Sequence, residues 1–132
     1  MTRFVIGPDA ALALAKREAV IPGRHRLLAP TLLRSQVLAQ LYAEVRRGEL
    51  DRRQADRRLD HVRALQVRLL GDRVLQRVAW DIAGQLGWTD TFVAEYLALT
   101  KLQADALVVM DAGIAREAGK VVAVAALQDM LA

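Results

Sequence analysis

The sequence predicts an α/β domain in which a short, mostly parallel sheet lies between layers of helices. Strand-like and helix-like patterns alternate at both ends of the chain, and the middle has the apolar spacing of consecutive helices. Strands joined through helices pair in parallel, because the crossover returns the chain to the same end of the sheet. The chain has 132 residues, 54% of them hydrophobic, which suits one domain spanning residues 1–132.

The first part of the chain carries two strand signals and two helix signals. The stretch RFVI at residues 3–6 is typical of a short buried strand, and Pro8 at a first helical position begins helix one. After a run of turn residues, RLLA at residues 26–29 fits a second short strand. Thr31 is the expected N-cap of a second, amphipathic helix that ends near Gly48.

The middle of the chain predicts three more helices. Asp51 caps the first of these, whose apolar stripe includes Leu65 and Leu69 and which stops near Gly71. The other two cover residues 74–86, with Gly87 as the end signal, and residues 91–103.

The last part of the chain returns to alternating strands and helices. The continuous apolar run ALVVM at residues 106–110 fits a strand that is covered on both faces. A short helix at residues 112–118, a further strand at VVAVA and a closing helical turn at LQDML follow. The sheet should therefore contain strands from both ends of the chain.

Composition limits the chemistry that this chain can perform. There is no cysteine, which excludes disulfides and Cys-based zinc sites and is consistent with a reducing cytoplasm. The two histidines lack the paired spacing of metal ligands. No apolar run approaches the ~20 residues that a membrane span needs, so we expect a cytoplasmic protein with no membrane partner. Any metal site must rest on carboxylates.

Charge is concentrated in one segment. The net charge is +4, yet residues 46–77 alone carry ten arginines against five acids. Helical spacing places several of these acids beside arginines, which is typical of a solvated face with ion pairs. The same segment also suits a surface that binds a polyanion such as RNA, and the sequence leaves both interpretations open.

Two aspartates follow predicted strands that belong to one sheet. Asp9 comes three residues after the first strand, and Asp111 comes directly after LVVM. Sites in parallel sheets form beyond the carboxyl ends of the strands, so we expect both side chains to face one crevice. Asp9 also completes a helix start with Gly7 and Pro8, where a carboxylate is favourable at the positive end of the helix dipole. Helix capping alone, and capping combined with a metal or water contact, both remain open.

The motifs LLAPTLLRSQVLAQLY, FVAEYLALT and ALVVMDAGIAREAG resemble the PIN domain, particularly the VapC toxins of bacterial toxin–antitoxin pairs. The resemblance covers nearly the whole chain. It implies a PIN-like three-layer sandwich, and a ribonuclease whose Mg²⁺ or Mn²⁺ is held by three or four acids.

This sequence departs from the family's acid pattern. Gly7, Gln36 and Val93 stand where the family places acids, and Asp111 alone matches cleanly. An ungapped match puts Asp9 where the family has serine or threonine, and Asp90 lies about one turn before Val93. The resulting candidates are Asp9, Asp111 and Asp90 for catalysis, Asp9 and Asp111 for a weakly bound metal, and Gln36, Arg34, Arg53 and Arg57 for binding. A cap on the fifth helix is the simpler role for Asp90.

The resemblance and the missing acids together define the expected function. We expect a VapC-like protein with weak or lost Mg²⁺-dependent ribonuclease activity. The alternative is a catalytically inactive PIN-fold module that binds RNA or a protein, or a regulatory subunit whose partner occupies the old cleft. A VapB-like antitoxin is an implied partner, and Trp80 and Trp88 favour a homodimer.

Overall fold

The computed structural model describes all residues, 1–132, and contains five strands and seven helices. In chain order the elements are β1 (Thr2–Ile6), α1 (Pro8–Lys16), β2 (His25–Pro30), α2 (Leu32–Arg46), α3 (Arg52–Ala64), β3 (Arg68–Leu70), α4 (Arg73–Leu86), α5 (Phe92–Gln103), β4 (Ala106–Val108), α6 (Ala112–Ala118), β5 (Val124–Ala125) and α7 (Leu127–Leu131).

The five strands form one sheet in the order β3-β2-β1-β4-β5, and every neighbouring pair is parallel. The two strands predicted at residues 3–6 and 106–110 are adjacent, with Ile6 opposite Val108. The predicted α/β class, with a parallel sheet between helices, is confirmed. The first strand of the chain is therefore the central strand of the sheet.

Helices cover the sheet in an arrangement consistent with a three-layer sandwich. Helix α5 packs against β1, β2 and β4 and also against α4, whereas α1 packs against α2 and α3. The fully buried side chains come mainly from the central strands and α5, and they include Val5, Ile6, Leu97, Leu99, Leu107 and Val108. Burying these large apolar groups supplies most of the favourable free energy of folding.

Three predicted boundaries are wrong, and each difference has a local cause. Helix α3 ends at Ala64 instead of continuing toward Gly71, because Gln66 adopts a left-handed φ of 56°. A helix cannot pass through that conformation. The chain then enters the short strand β3, so Leu69 belongs to the sheet. Strand β4 ends at Val108, because the Met110 and Asp111 amides donate to a side chain described below. Strand β5 begins at Val124 and not at Val121, because the Val121 and Val122 amides donate to the Ala118 carbonyl in a turn after α6.

Two helix starts follow the predicted local chemistry, and a third does not. Gly7, Pro8 and Asp9 occupy the N-cap, N1 and N2 positions of α1 as predicted, and Asp51 forms a reciprocal capping box with Gln54. Thr31 lies at the N-cap of α2, but its side chain accepts no capping hydrogen bond. Its backbone already has helical angles, φ −55° and ψ −27°, whereas a capping side chain requires extended ones.

None of the seven helices has both the length and the apolar character required to cross a membrane.

Candidate functional site at the carboxyl edge of the sheet

The candidate site lies between β1 and β4, where the sheet is extended on the opposite side of β1. From β1 the chain proceeds to β2 and β3 on one side, and it later returns to β4 and β5 on the other. In open parallel sheets such a switch point leaves a crevice beyond the carboxyl ends of the two central strands. Asp9 follows β1 and Asp111 follows β4, so the predicted juxtaposition of these residues is confirmed.

The Asp9 carboxylate is occupied by backbone hydrogen bonds. The Ala10 amide donates to Oδ1 at 2.7 Å. The amides of Met110 and Asp111 both donate to Oδ2, at 2.8 and 3.1 Å. A carboxylate has about four lone-pair positions, so three of them are directed at the protein itself. Asp9 therefore joins the first turn of α1 to the end of β4.

Gly7 leaves the space in which the Asp9 carboxylate lies. A Cβ atom at position 7 would be 2.9 Å from Asp9 Oδ1 and 3.0 Å from Val109 Cγ1. Any side chain at position 7 would therefore displace the Asp9 carboxylate or the Val109 side chain. Gly7 and Asp9 therefore depend on each other, because the Asp9 carboxylate occupies the space that a side chain at position 7 would need.

Gln36 is held by a tyrosine that the sequence interpretation missed. The Tyr96 hydroxyl donates to Gln36 Oε1 at 2.5 Å, and only 3% of Tyr96 is exposed. Burial, with smaller effects from the negative charges of Glu95 and Asp9, raises the pKa of the Tyr96 phenol, so the group stays a donor. The only sequence signal was the position of Tyr96 in the motif VAEY.

A second group of acids lines an adjoining open cleft of about 400 Å³. Asp111 Oδ1 accepts a hydrogen bond from the Ile114 amide at 2.9 Å, which caps α6. Asp90 Oδ1 accepts from the Phe92 amide at 3.2 Å, while Thr91 is the N-cap residue of α5. Glu117 is paired with Lys120 at 2.6 Å. Each of these carboxylates already has a partner.

These residues do not match the two-ion site that the PIN resemblance implies. No group of three or more histidine, aspartate or glutamate side chains is arranged to hold a metal ion. Val93, in place of a family acid, lines the same cleft as Asp90 and Asp111. A pair of divalent cations would lack compensating charge in this cleft, which is costly away from bulk water.

The predicted binding arginines lie away from the acidic cleft. Arg34 lines an apolar groove between α2 and α3. Arg57 lies with Lys16 at the last turn of α1, whereas Asp9 is in the first turn, roughly 10 Å away along the helix axis. Arg53 is exposed on α3. The structure thus brings Asp9, Asp111, Gln36 and Tyr96 to one region and places the arginines elsewhere.

Comparison with known proteins gives a fold relative. No family model and no curated protein matches the chain. The crystal structure of PAE2754 from Pyrobaculum aerophilum is similar, with a TM-score of 0.78 and 22% sequence identity, over 98% of this chain and 93% of that one. At this identity the match establishes the shared α/β fold alone.

Proposed function

We propose that this chain is a PIN-like protein, similar to the VapC toxins, that has little or no Mg²⁺-dependent ribonuclease activity and acts by binding a partner. The observation that carries this proposal is the Asp9 carboxylate, which accepts three backbone hydrogen bonds. A carboxylate engaged in this way must break protein contacts before it can bind a cation.

The neutral residues at the other acid positions support the same proposal. Gly7, Gln36 and Val93 each lack the negative charge that the family pattern has, and the Gln36 amide oxygen is taken by Tyr96. Metal-assisted phosphodiester cleavage needs an activated water and stabilisation of the leaving oxygen, and both depend on well-held cations.

A nuclease assay with a restored site tests this proposal. We expect no metal-dependent cutting of a mixed RNA by the natural protein. The variant Gly7→Asp, Asp9→Ser, Gln36→Glu and Val93→Asp should gain it, since Asp9→Ser removes the carboxylate oxygen that a Cβ at position 7 would meet at 2.9 Å, and the Val109 side chain must shift slightly. Adding Asp111→Ala should abolish the gained activity, while adding Asp81→Ala, at an exposed residue of α4, should not.

Rapid RNA cleavage by the natural protein would overturn the proposal, provided that Asp111→Ala abolishes that cleavage. The active set would then be Asp9, Asp111 and Asp90 with Mg²⁺ or Mn²⁺. Failure of the restored variant to cut, although it is folded, would count against the PIN resemblance itself.

The groove between α2 and α3 supports a protein as the partner. It has a volume of about 580 Å³ and a mainly apolar lining, and Leu38 in it is 57% exposed. Arg34 stands among the lining residues without an ion-pair partner, and Arg63, which is paired with Asp60 at 2.7 Å, adds a second guanidinium. This combination fits an amphipathic segment that carries acidic residues, and we propose a VapB-like antitoxin as its source.

Co-expression with a small open reading frame encoded upstream tests the antitoxin proposal. The wild-type chain should copurify with its product, and Leu38→Asp should lose the complex. Leu102→Asp provides the control, because Leu102 is 42% exposed on α5 and lies outside the groove. Equal loss with both variants, or no complex with any upstream product, would contradict the proposal.

RNA is a second candidate partner, favoured by unpaired arginines on α3. Arg52 and Arg63 are paired with Asp56 and Asp60, but Arg53 and Arg57 form no ion pair. Removing Arg53 and Arg57 together should weaken RNA binding and reduce the slope of log K against log salt by about 1–2. Equal weakening by Arg52→Gln would indicate diffuse attraction to positive charge instead of binding at these arginines.

A further inference from the structure

A polar cavity of about 610 Å³ lies at the amino edge of the sheet, opposite the candidate site described above. The first residues of β1 and β2 and the start of β3 contribute to its lining, together with the ends of α3 and α5. Three arginines and a histidine line it, and no aspartate or glutamate does so: Arg3, Arg26, Arg68 and His25.

The strand register places the three arginines on one face of the sheet. Arg3 is the register partner of Arg26, and Arg68 is the partner of Leu28, two residues beyond Arg26 on the same strand. Paired residues of parallel strands point to the same face, as do residues two apart. Neighbouring strands are about 4.8 Å apart, and the three arginines, from three adjacent strands, line the same cavity.

The arginines of this cluster have no ion-pair partner in the protein, and His25 Nε2 hydrogen-bonds to the Ala132 backbone oxygen at 3.2 Å. None of the three arginines forms an ion pair, and the side chains of Arg3 and Arg68 make no hydrogen bond. Arg26 Nη1 donates to the Gly23 and His25 carbonyls, at 2.6 and 3.1 Å, which fixes the side chain and leaves its other donors available. Asp105 accepts from the Arg3 backbone amide at 2.8 Å and is not paired with its guanidinium.

This arrangement differs from an ordinary solvated basic face. On α3, two of the arginines are paired with acids of the same helix, as is typical of exposed helical charge. At the amino edge of the sheet the arginines surround a concave space, and apolar residues form part of the wall, among them Ile21, Pro22 and Leu65. A ligand there would meet several cationic donors and an apolar surface together.

We propose that this cavity binds a phosphorylated organic anion of nucleotide size. Guanidinium groups present paired N–H donors that match the oxygens of a phosphate group, and several of them can share a di- or triphosphate. The apolar wall would contact the organic part of the ligand. The proposal does not depend on the function proposed above, since the two sites lie at opposite ends of the strands.

Calorimetric titration of the full chain with ATP in EDTA tests the proposal, with inorganic pyrophosphate as a second probe. We expect one ATP per chain with Kd below ~1 mM, and weaker binding by pyrophosphate alone. Arg3→Gln and Arg68→Gln should each weaken ATP binding about tenfold or more. Arg46→Gln, at an exposed residue at the end of α2, removes the same charge outside the cavity and should change Kd less than about twofold.

The two histidines give an independent measure of location. His25 lines the cavity, whereas His61 lines a different pocket and hydrogen-bonds through Nε2 to the Ala19 carbonyl at 2.8 Å. During an ATP titration followed by NMR, the His25 ring signals should shift with the same Kd and the His61 signals should not.

Three results would overturn the proposal. The first is no ATP binding at ~1 mM by the folded wild-type chain. The second is equal weakening of ATP binding by Arg46→Gln and Arg68→Gln, which would mean that ATP is attracted by diffuse positive charge. The third is a short RNA without terminal phosphates that displaces ATP and binds more tightly, which would make the cavity part of a nucleic-acid surface.

Discussion

The Asp9 carboxylate accepts amides from two parts of the chain that are far apart in sequence. Its partners are the adjacent residue Ala10 and two residues 101 and 102 positions later, Met110 and Asp111. The side chain thus stabilises the helix start and fixes the turn after β4. A residue with the chemistry of a metal ligand has a structural role here.

Replacing Asp9 should therefore destabilise the fold. Asp9→Ala removes the acceptor of three amides, and we expect the free energy of unfolding to fall by about 2–4 kcal/mol. Asp72→Ala is the matched control, because the Asp72 side chain accepts only the Leu75 amide, and it should cost about 1 kcal/mol. Urea unfolding measures both values. Equal losses would mean that the contacts to Met110 and Asp111 contribute nothing.

Glu95 gives the protein a pH-dependent stability. Its carboxylate is half-buried and accepts no hydrogen bond, and burial raises its pKa above the ordinary 4.5. Below pH 4.5 the group is neutral in both states, and as pH rises through the higher folded pKa the native state loses stability. Glu95→Gln should therefore raise the melting temperature at pH 7, and the gain should vanish near pH 3.5.

Glu117→Gln is the control for the Glu95 prediction. Glu117 is paired with Lys120 at 2.6 Å, so its replacement should lower the melting temperature slightly at pH 7 or leave it unchanged. A stabilisation by Glu95→Gln that is as large at pH 3.5 as at pH 7 would contradict the burial explanation.

At the scale of secondary structure, local signals predicted most helix ends and missed one strand. Asp51 and Gly87 act within one turn of their own positions, so their effect is visible in the sequence. Strand β3 has only three residues, and Leu69 in it also fits the apolar stripe of α3. The positive φ of Gln66 ends the helix before β3, and a glutamine in the sequence does not predict that conformation.

Gly84 in α4 and Gly87 at its C-cap should respond in opposite directions to replacement by alanine. Gly87 ends the helix with a φ of 72°, and Gly87→Ala should cost about 1 kcal/mol because a Cβ is unfavourable there. Gly84 is helical, and a Cβ at that position meets nothing within 4 Å, so Gly84→Ala should add about 0.5–1 kcal/mol. Thermal unfolding of both variants tests the pair, and a destabilising Gly84→Ala would show that its exposed surface is covered in solution.

At the scale of the whole molecule, the sequence predicted the layout of the sheet more fully than the chemistry of the site. Alternating patterns identified the parallel neighbours β1 and β4, and with them the approach of Asp9 to Asp111. The bond between Tyr96 and Gln36 joins residues 60 positions apart, and no periodicity reports such a contact. The arginine cluster depends on strand register, which is likewise set by long-range pairing.

We propose that the chain forms a homodimer through the exposed face of α4. Trp80 is 74% exposed there, whereas Trp88 is half-buried against the core and is not available for a large contact. A specific dimer should bury more than ~1,000 Å² in total. Sedimentation equilibrium should give twice the 14.6 kDa chain mass for the wild type and the chain mass for Trp80→Gln. Leu102→Gln, on α5, should stay dimeric, and a monomeric wild type would contradict the proposal.

The central position of β1 has a consequence for the order of events during synthesis. Strand β1, made before the other four strands of the sheet, is hydrogen-bonded on one side to β2, which follows within about 30 residues, and on the other to β4 at residues 106–108. Until β4 has left the ribosome, β1 keeps an open edge and the switch-point crevice does not exist. Pairing across so long a stretch of chain is slow, because the entropy cost of closing the loop arises before the contacts that compensate for it have formed. Nascent chains stopped before residue 106 should therefore expose an unpaired, aggregation-prone strand edge and depend on chaperones. Chains released after β4 has been made should not depend on them.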